Sequence, residues 1–221
     1  MENLKEKIIE FFDNKNEEEL FDDSMHIAKS IAIYAHHRQF RENGEPYINH
    51  PWRVAENFSR LITLPIEDVI ISQEVAETFN LPTLGVFEVC LLHDVIEDTE
   101  ITIEDIEEIY ESKDLLEPFR QCIKEPLLLV THNKKEDYDT YISKVLTNKV
   151  ASLVKMLDMV DNSNFLGLKS LSSNELARSQ RYLEYIKLIN DKYNFLENSY
   201  RARNYYQKLY YQNQKEESKT N

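Results

Sequence analysis

Apolar residues recur at helical spacing along nearly the whole chain. Ile27, Ile31, Tyr34 and Ala35 share one face of the stretch from Leu20 to His37, which predicts a packed helix ending in the polar loop RENGEPYINHP. Pro51 suits a first helical position, so the next helix is expected over 51–62, with His50 at its cap and projecting from a loop. Residues 64–80 read as an amphipathic helix stopped by Asn80 and Pro82, and a buried helix follows over 84–98. Thr102 is an N-cap for a short acidic helix over 102–111, and further helices are expected over 114–130, 136–146, 148–165, 174–196 and 198–213. Residues 1–18 form an acidic, weakly amphipathic helix broken at Asp13–Asn16 and expected at the periphery, and the tail QNQKEESKTN is polar and expected to fray. No internal repeat and no segment demanding a sheet is visible.

Composition agrees with helices. Three glycines and six prolines leave little material for hairpins. At 221 residues the chain can bury a proper core in one sizeable domain or at most two small ones. Forty acidic against twenty-six basic residues give a formal charge of −14, which disfavours nucleic-acid polymers and anionic membranes as partners. An anionic substrate would need a local basic group or a metal. The start, MENLKEKIIEFF, lacks the apolar run of a signal peptide, and no later stretch reaches spanning length, so a soluble cytoplasmic protein is expected. Cys90 and Cys122 form no metal or disulfide pattern.

The chemistry concentrates in LLHDVIEDT, residues 91–99. Val86, Val89, Cys90, His93 and Glu97 share one helical stripe, and Phe87, Leu91, Asp94 and Asp98 the next; each is apolar for two turns and then ionisable. A buried carboxylate must be paired, hydrogen-bonded or metal-bound, because isolated charge is costly to desolvate. A divalent ion is the economical explanation, since imidazole and carboxylate are good ligands and the ion offsets the crowded acids. A solvated helix end with a chance His-Asp pair is the bland alternative. Matching partners lower its weight: His50, and LVKMLDMVDN (153–162), where Asp158 ends an apolar run, Asn162 follows one turn later and Asp161 lies three residues on. Lys155 and Asp158 also read simply as a helical ion pair.

The order His50, His93-Asp94, Asp158 resembles the H…HD…D signature of the HD-domain metal-dependent phosphohydrolases. The likeness is closer to the hydrolase domain of the RelA/SpoT homologues, whose three blocks AHHRQFRENGEPYINHPWRVA, LLHDVIEDT and LVKMLDMVDN resemble in order. With VTHNKKEDY and RSQRYLEY, the resemblance covers roughly residues 25–190. It implies an all-α HD-domain helical bundle over 19–196, flanked by the helix in 1–18, a C-terminal helix over 197–213 and a polar tail over 214–221. It also implies one ion, usually Mn²⁺, held by His50, His93, Asp94 and Asp158; His26 and His132 are read as ordinary surface or packed residues.

Glu97 and Asp98 resemble the family's catalytic acidic pair, with their roles undivided, acting on a water made acidic by the ion. The implied substrate is a ribose-phosphorylated nucleotide, foremost ppGpp and pppGpp, losing its 3′-pyrophosphate. Asn162, Arg41, Arg178, Tyr182 and the weaker candidate Lys134 resemble substrate-contacting positions. Arg41, Arg178 and Tyr182 also have plain readings, as a solvated loop charge, an intrahelical partner of Glu175 and a core aromatic respectively. His36 and Gln39 are candidates for orienting the ligands from behind.

Three features depart from the pattern. Glu42 stands where the group commonly has lysine, 64–83 reads as an insertion suited to a lid or an oligomer contact, and about thirty residues follow 190, as in hydrolase-only members such as the small alarmone hydrolases and the metazoan SpoT homologue. Glu42 keeps two alternatives alive: another nucleotide, for example NADPH losing its 2′-phosphate, or a silent nucleotide-binding module.

Overall fold

The computed structural model describes residues 3–13, 15–64, 68–165 and 171–220. In chain order its helices are α1 (Leu4–Phe11), α2 (Glu17–Phe21), α3 (Ser24–His36), α4 (Asn49–Ile62), α5 (Gln73–Thr78), α6 (Val86–Leu92), α7 (Val95–Asp98), α8 (Ile103–Glu111), α9 (Leu116–Phe119), α10 (Glu125–Val130), α11 (Tyr138–Val145), α12 (Lys149–Asn162), α13 (Ser173–Tyr193) and α14 (Phe195–Thr220). Among the described residues there is no sheet, only isolated antiparallel bridges at Phe40–Pro46 and Thr63–Ile70. The all-α expectation holds, and no described helix is long and apolar enough to cross a membrane.

Helix α6 is the axis of the core. Val86, Val89, Cys90, Leu91 and Leu92 are all buried, as a helix apolar on most sides must be, and its one charged residue, Glu88, accepts from the Ser24 hydroxyl at 2.8 Å. It packs between α3, α4 and α12, while α12 carries α10 and α13 on its other sides. Helix α14 covers α4 and α5, with Phe195, Ser199 and Ala202 fully buried and the Ser199 hydroxyl donating to the Leu61 carbonyl at 2.6 Å.

Several elements differ from the sequence expectation. His50 lies inside the first turn of α4, not in a loop ahead of it, because the turn at Tyr47 already hydrogen-bonds forward: the His50 amide donates to the Tyr47 carbonyl at 2.9 Å. The expected helix over 64–80 shrinks to α5. Before it the chain doubles back, with Leu64 N–H to the Val69 carbonyl and Ile71 N–H to the Ile62 carbonyl, both 2.8 Å. Leu64, Ile71, Val75, Ala76 and Leu81 are buried, so much of the stretch expected as an insertion packs into the core; its residues 65–67 lie outside the described set.

The helix expected over 114–130 begins only at Leu116, after Asp114 in the left-handed region, and runs as one helical rod to Val130 through a π-turn over Arg120–Lys124 between α9 and α10. Pro126 has no N–H for the Cys122 carbonyl one turn back, which favours the wider turn. That carbonyl faces Gly85, the αL residue that opens α6 (φ +73°); a Cβ there would sit 2.5 Å from the Cys122 oxygen. The N-terminal segment is two helices, and Leu4 and Ile8 of α1 are buried against α3 and α8, so it is docked more firmly than a peripheral helix. Helix α14 continues to Thr220, through the polar residues expected to fray.

Candidate active site

The helix expected over 84–98 breaks at its chemically interesting point. Helix α6 ends at Leu92, His93 and Asp94 form a turn, and α7 resumes at Val95, with the Asp98 amide still donating to the Asp94 carbonyl at 2.9 Å. The apolar part of α6 thus buries His93 and delivers Asp94 to the end of the core.

His50 from α4, His93 from this turn and Asp158 from α12 meet there, all buried, with one ligand-type atom of each within 4.8 Å of the others. His50 Nε2 is 3.1 Å from Asp158 Oδ1 and 3.5 Å from Asp94 Oδ2; His93 Nε2 is 3.1 Å from Asp94 Oδ2 and 3.7 Å from Asp158 Oδ1.

The opposite ring nitrogens are engaged by the fold. His50 Nδ1 meets Asp161 Oδ2 at 2.7 Å and His93 Nδ1 meets the Cys90 carbonyl at 2.8 Å. Each Nδ1 therefore carries its proton and each Nε2 lone pair is aimed at the shared point. His93 Nε2 is buried without a hydrogen-bond partner. An orphaned imidazole nitrogen beside two carboxylate oxygens and a second imidazole fits a divalent cation well. Burial alone would lower both imidazoles, but the surrounding carboxylates outweigh it and raise them: Asp158 and Asp161 for His50, Asp94 and Asp158 for His93. Burial likewise opposes ionisation of Asp94 and Asp158, yet His93 for the first and Lys155 with both imidazoles for the second hold them below the usual carboxylate range.

Glu97 and Asp98 stand beside this centre. Glu97 is half-buried and accepts a hydrogen bond from the His132 amide at 2.8 Å; burial pushes its carboxyl up. Asp98 shares the Tyr47 hydroxyl with Asp94, at 3.2 and 2.7 Å, and pairs with Lys134 at 3.5 Å. The Gln39 amide donates to the Asp98 carbonyl while its oxygen meets His36 Nδ1 at 2.7 Å.

A cleft of about 940 Å³ opens next to the centre, lined by Arg41, Arg53, Arg178 and Arg181 and by Phe40, Asp161 and Asn162. Asn162 donates to Asp158 Oδ1 and accepts from Arg41 Nη2, each at 2.5 Å. Glu42 lines the same cleft, so the departure noted in the sequence lies where a ligand would sit. Tyr182 does not line it; its ring packs against the core, and burial, then the Asp158 carboxylate, raises its hydroxyl. Lys134 is mostly exposed. His132 packs its ring on Tyr141, 4.5 Å between centroids, and His26 pairs with Asp23; neither reaches the centre.

Sequence reasoning missed three contributors: Tyr47 bridges two acids, Arg53 grips Asp161 through Nε (2.7 Å) and Nη2 (3.1 Å) while also pairing with Glu45, and Arg181 lines the cleft. The Lys155–Asp158 ion pair, read from the sequence as a plain helical pair, forms at 2.8 Å and belongs to the centre itself.

No protein-family model matches the chain. A solved structure of a metazoan ortholog of SpoT, described as hydrolysing ppGpp and playing a role in starvation responses, superposes with a TM-score of 0.50 at 22% identity, over 81% of this chain and 95% of that one. The chain has the fold of that hydrolase. Among curated proteins it is similar to the Drosophila melanogaster guanosine-3′,5′-bis(diphosphate) 3′-pyrophosphohydrolase MESH1, 25% identical over 162 residues, 72% of this chain and 79% of that protein. It is also similar to the bifunctional (p)ppGpp synthase/hydrolase SpoT of Escherichia coli, 29% identical over 140 residues, and to the Haemophilus influenzae guanosine-3′,5′-bis(diphosphate) 3′-pyrophosphohydrolase, 30% over 139. Each bacterial match takes in 62% of this chain; the chain spans 17% and 18% of those two proteins.

Proposed function

We propose that the protein is a Mn²⁺-dependent phosphohydrolase that removes the 3′-pyrophosphate of ppGpp or pppGpp, leaving the guanosine 5′-phosphates. The observation that carries this reading is the convergence of two Nε2 lone pairs and two carboxylate oxygens, one nitrogen orphaned, beside an arginine-lined cleft. The names of the similar proteins supply the substrate class.

His50, His93, Asp94 and Asp158 would hold the ion. When bound, a divalent ion supplies Lewis-acid stabilisation of phosphoryl charge and makes a water acidic enough to attack near neutral pH. The chain's own groups do the rest. Glu97, held by the His132 amide and pushed up by burial, is suited to take a proton from the attacking water. Asp98, hydrogen-bonded by Tyr47, stands on the same rim to serve the leaving oxygen. Arg41, fixed through Asn162, and Arg178 offer charge to the phosphates in a molecule otherwise strongly negative.

Metal-stripped protein reloaded with Mn²⁺, Mg²⁺ or Zn²⁺ and given ppGpp, NADPH and GTP is expected to release pyrophosphate and GDP from ppGpp with Mn²⁺. Phosphate release from NADPH alone would move the assignment to that nucleotide, and no turnover with any ion would sink the enzyme reading. Asp158→Ala should lose ion and turnover together. Glu97→Gln should keep the ion while kcat falls by about 10²–10⁴-fold; full activity in that variant would refute the proton role.

A further inference from the structure

Lys155 is an unexpected group to find at this centre. It sits in the apolar run of α12, its side chain mostly buried, with Nζ 2.8 Å from Asp158 Oδ2 and 5.4 Å from the Tyr141 ring centroid. Among the described residues Asp158 is the one carboxylate within ion-pair distance of it. A buried ammonium is expensive to desolvate, and an apolar side chain of similar length would serve packing at least as well.

The pair divides the Asp158 carboxylate between two tasks. Oδ2 is engaged by Lys155, whereas Oδ1 receives Asn162 Nδ2 and faces His50 Nε2 at 3.1 Å and His93 Nε2 at 3.7 Å. A carboxylate with both oxygens free can chelate an ion through both and fill an extra coordination position. Here only one oxygen points at the ion's place.

We propose that Lys155 is a positioning residue that restricts Asp158 to single-oxygen ligation, keeping one coordination position open for water or substrate. This rests on the metal-centre reading above. It also means that the lysine works against ion affinity, since its charge stands beside the site, and in favour of turnover.

The test compares the wild type with Lys155→Met and Lys155→Gln, using Mn²⁺ titration calorimetry, water-proton relaxation by bound Mn²⁺ and steady-state kinetics. Lys155→Met should bind Mn²⁺ about tenfold tighter, because a nearby cation is gone and the second oxygen is released. Its bound ion should relax fewer inner-sphere waters, and kcat should fall about 10–100-fold with KM little changed. Lys155→Gln removes the charge but keeps a donor for Oδ2, so it should also bind the ion more tightly while retaining kcat within about tenfold. It remains a test should the methionine variant fail to fold.

A purely packing role would lower affinity, stability and kcat together in both variants. Ion binding no tighter than wild type in either folded variant, or wild-type kcat in Lys155→Met, overturns the proposal and leaves the metal centre standing. Wild-type protein that binds no divalent ion overturns both.

Discussion

Each imidazole of the centre surrenders one nitrogen to the fold and keeps the other for chemistry. For His50 that surrender is to Asp161, which Arg53 holds in turn through two hydrogen bonds. Asp161→Ala should therefore free the ring to rotate or change tautomer, and ion affinity measured by calorimetry should fall about 10–100-fold although no ligand is touched. His93, Asp94 and Asp158 could be picked out of the sequence because each follows an apolar run, where an ionisable group calls for an explanation, whereas His50, in a polar loop, stood out only as their partner in the resemblance. Tyr47 and Arg53 could not. Their partners, Asp94 and Asp161, lie 47 and 108 positions away, and a tyrosine in a turn or an arginine on an amphipathic helix is locally unremarked.

At the scale of elements, helical periodicity found the core helices, because burial on α3, α6 and α12 follows the spacing of their apolar residues. It failed where the outcome depends on distant hydrogen bonds. Periodicity cannot see the Leu64–Val69 and Ile62–Ile71 bonds that turn the chain back, nor the missing Pro126 donor that widens the rod at Cys122. The contact between that rod and α6 is a sharp one. Gly85→Ala would force a side chain at φ +73° into the Cys122 carbonyl, so thermal unfolding should show a loss of at least about 1–3 kcal/mol. As α6 carries His93 at its end, ion affinity should weaken in the same variant, while an unchanged Tm would mean that the approach is looser than described.

Taken whole, the molecule is closed by α14, whose first residue, Phe195, is fully buried and stacks on Tyr193 with centroids 5.2 Å apart. Phe195→Ala should cost about 3–5 kcal/mol in denaturant unfolding, the range for an emptied aromatic site. From the pattern alone this segment reads as a packed terminal helix; the surfaces it packs on, those of α4 and α5, are visible only in the fold. The acidic balance was legible from composition, and Arg41 and Arg178 were legible as candidates, but that Arg53 and Arg181 join them around one cleft was not, because Arg41 and Arg53 lie more than a hundred positions from Arg178 and Arg181 in the chain.

That distance bears on the proposed ion as well. His50, His93 and Asp158 are separated by 43 and 65 residues, so an unfolded chain offers no preformed chelate and the ion would bind the native state alone. At a hundredfold excess over its Kd, such an ion would add about 2.7 kcal/mol to unfolding. It would then act as a removable rivet between the two halves of the chain, and a cell that withdrew the metal would loosen the protein as well as silence it.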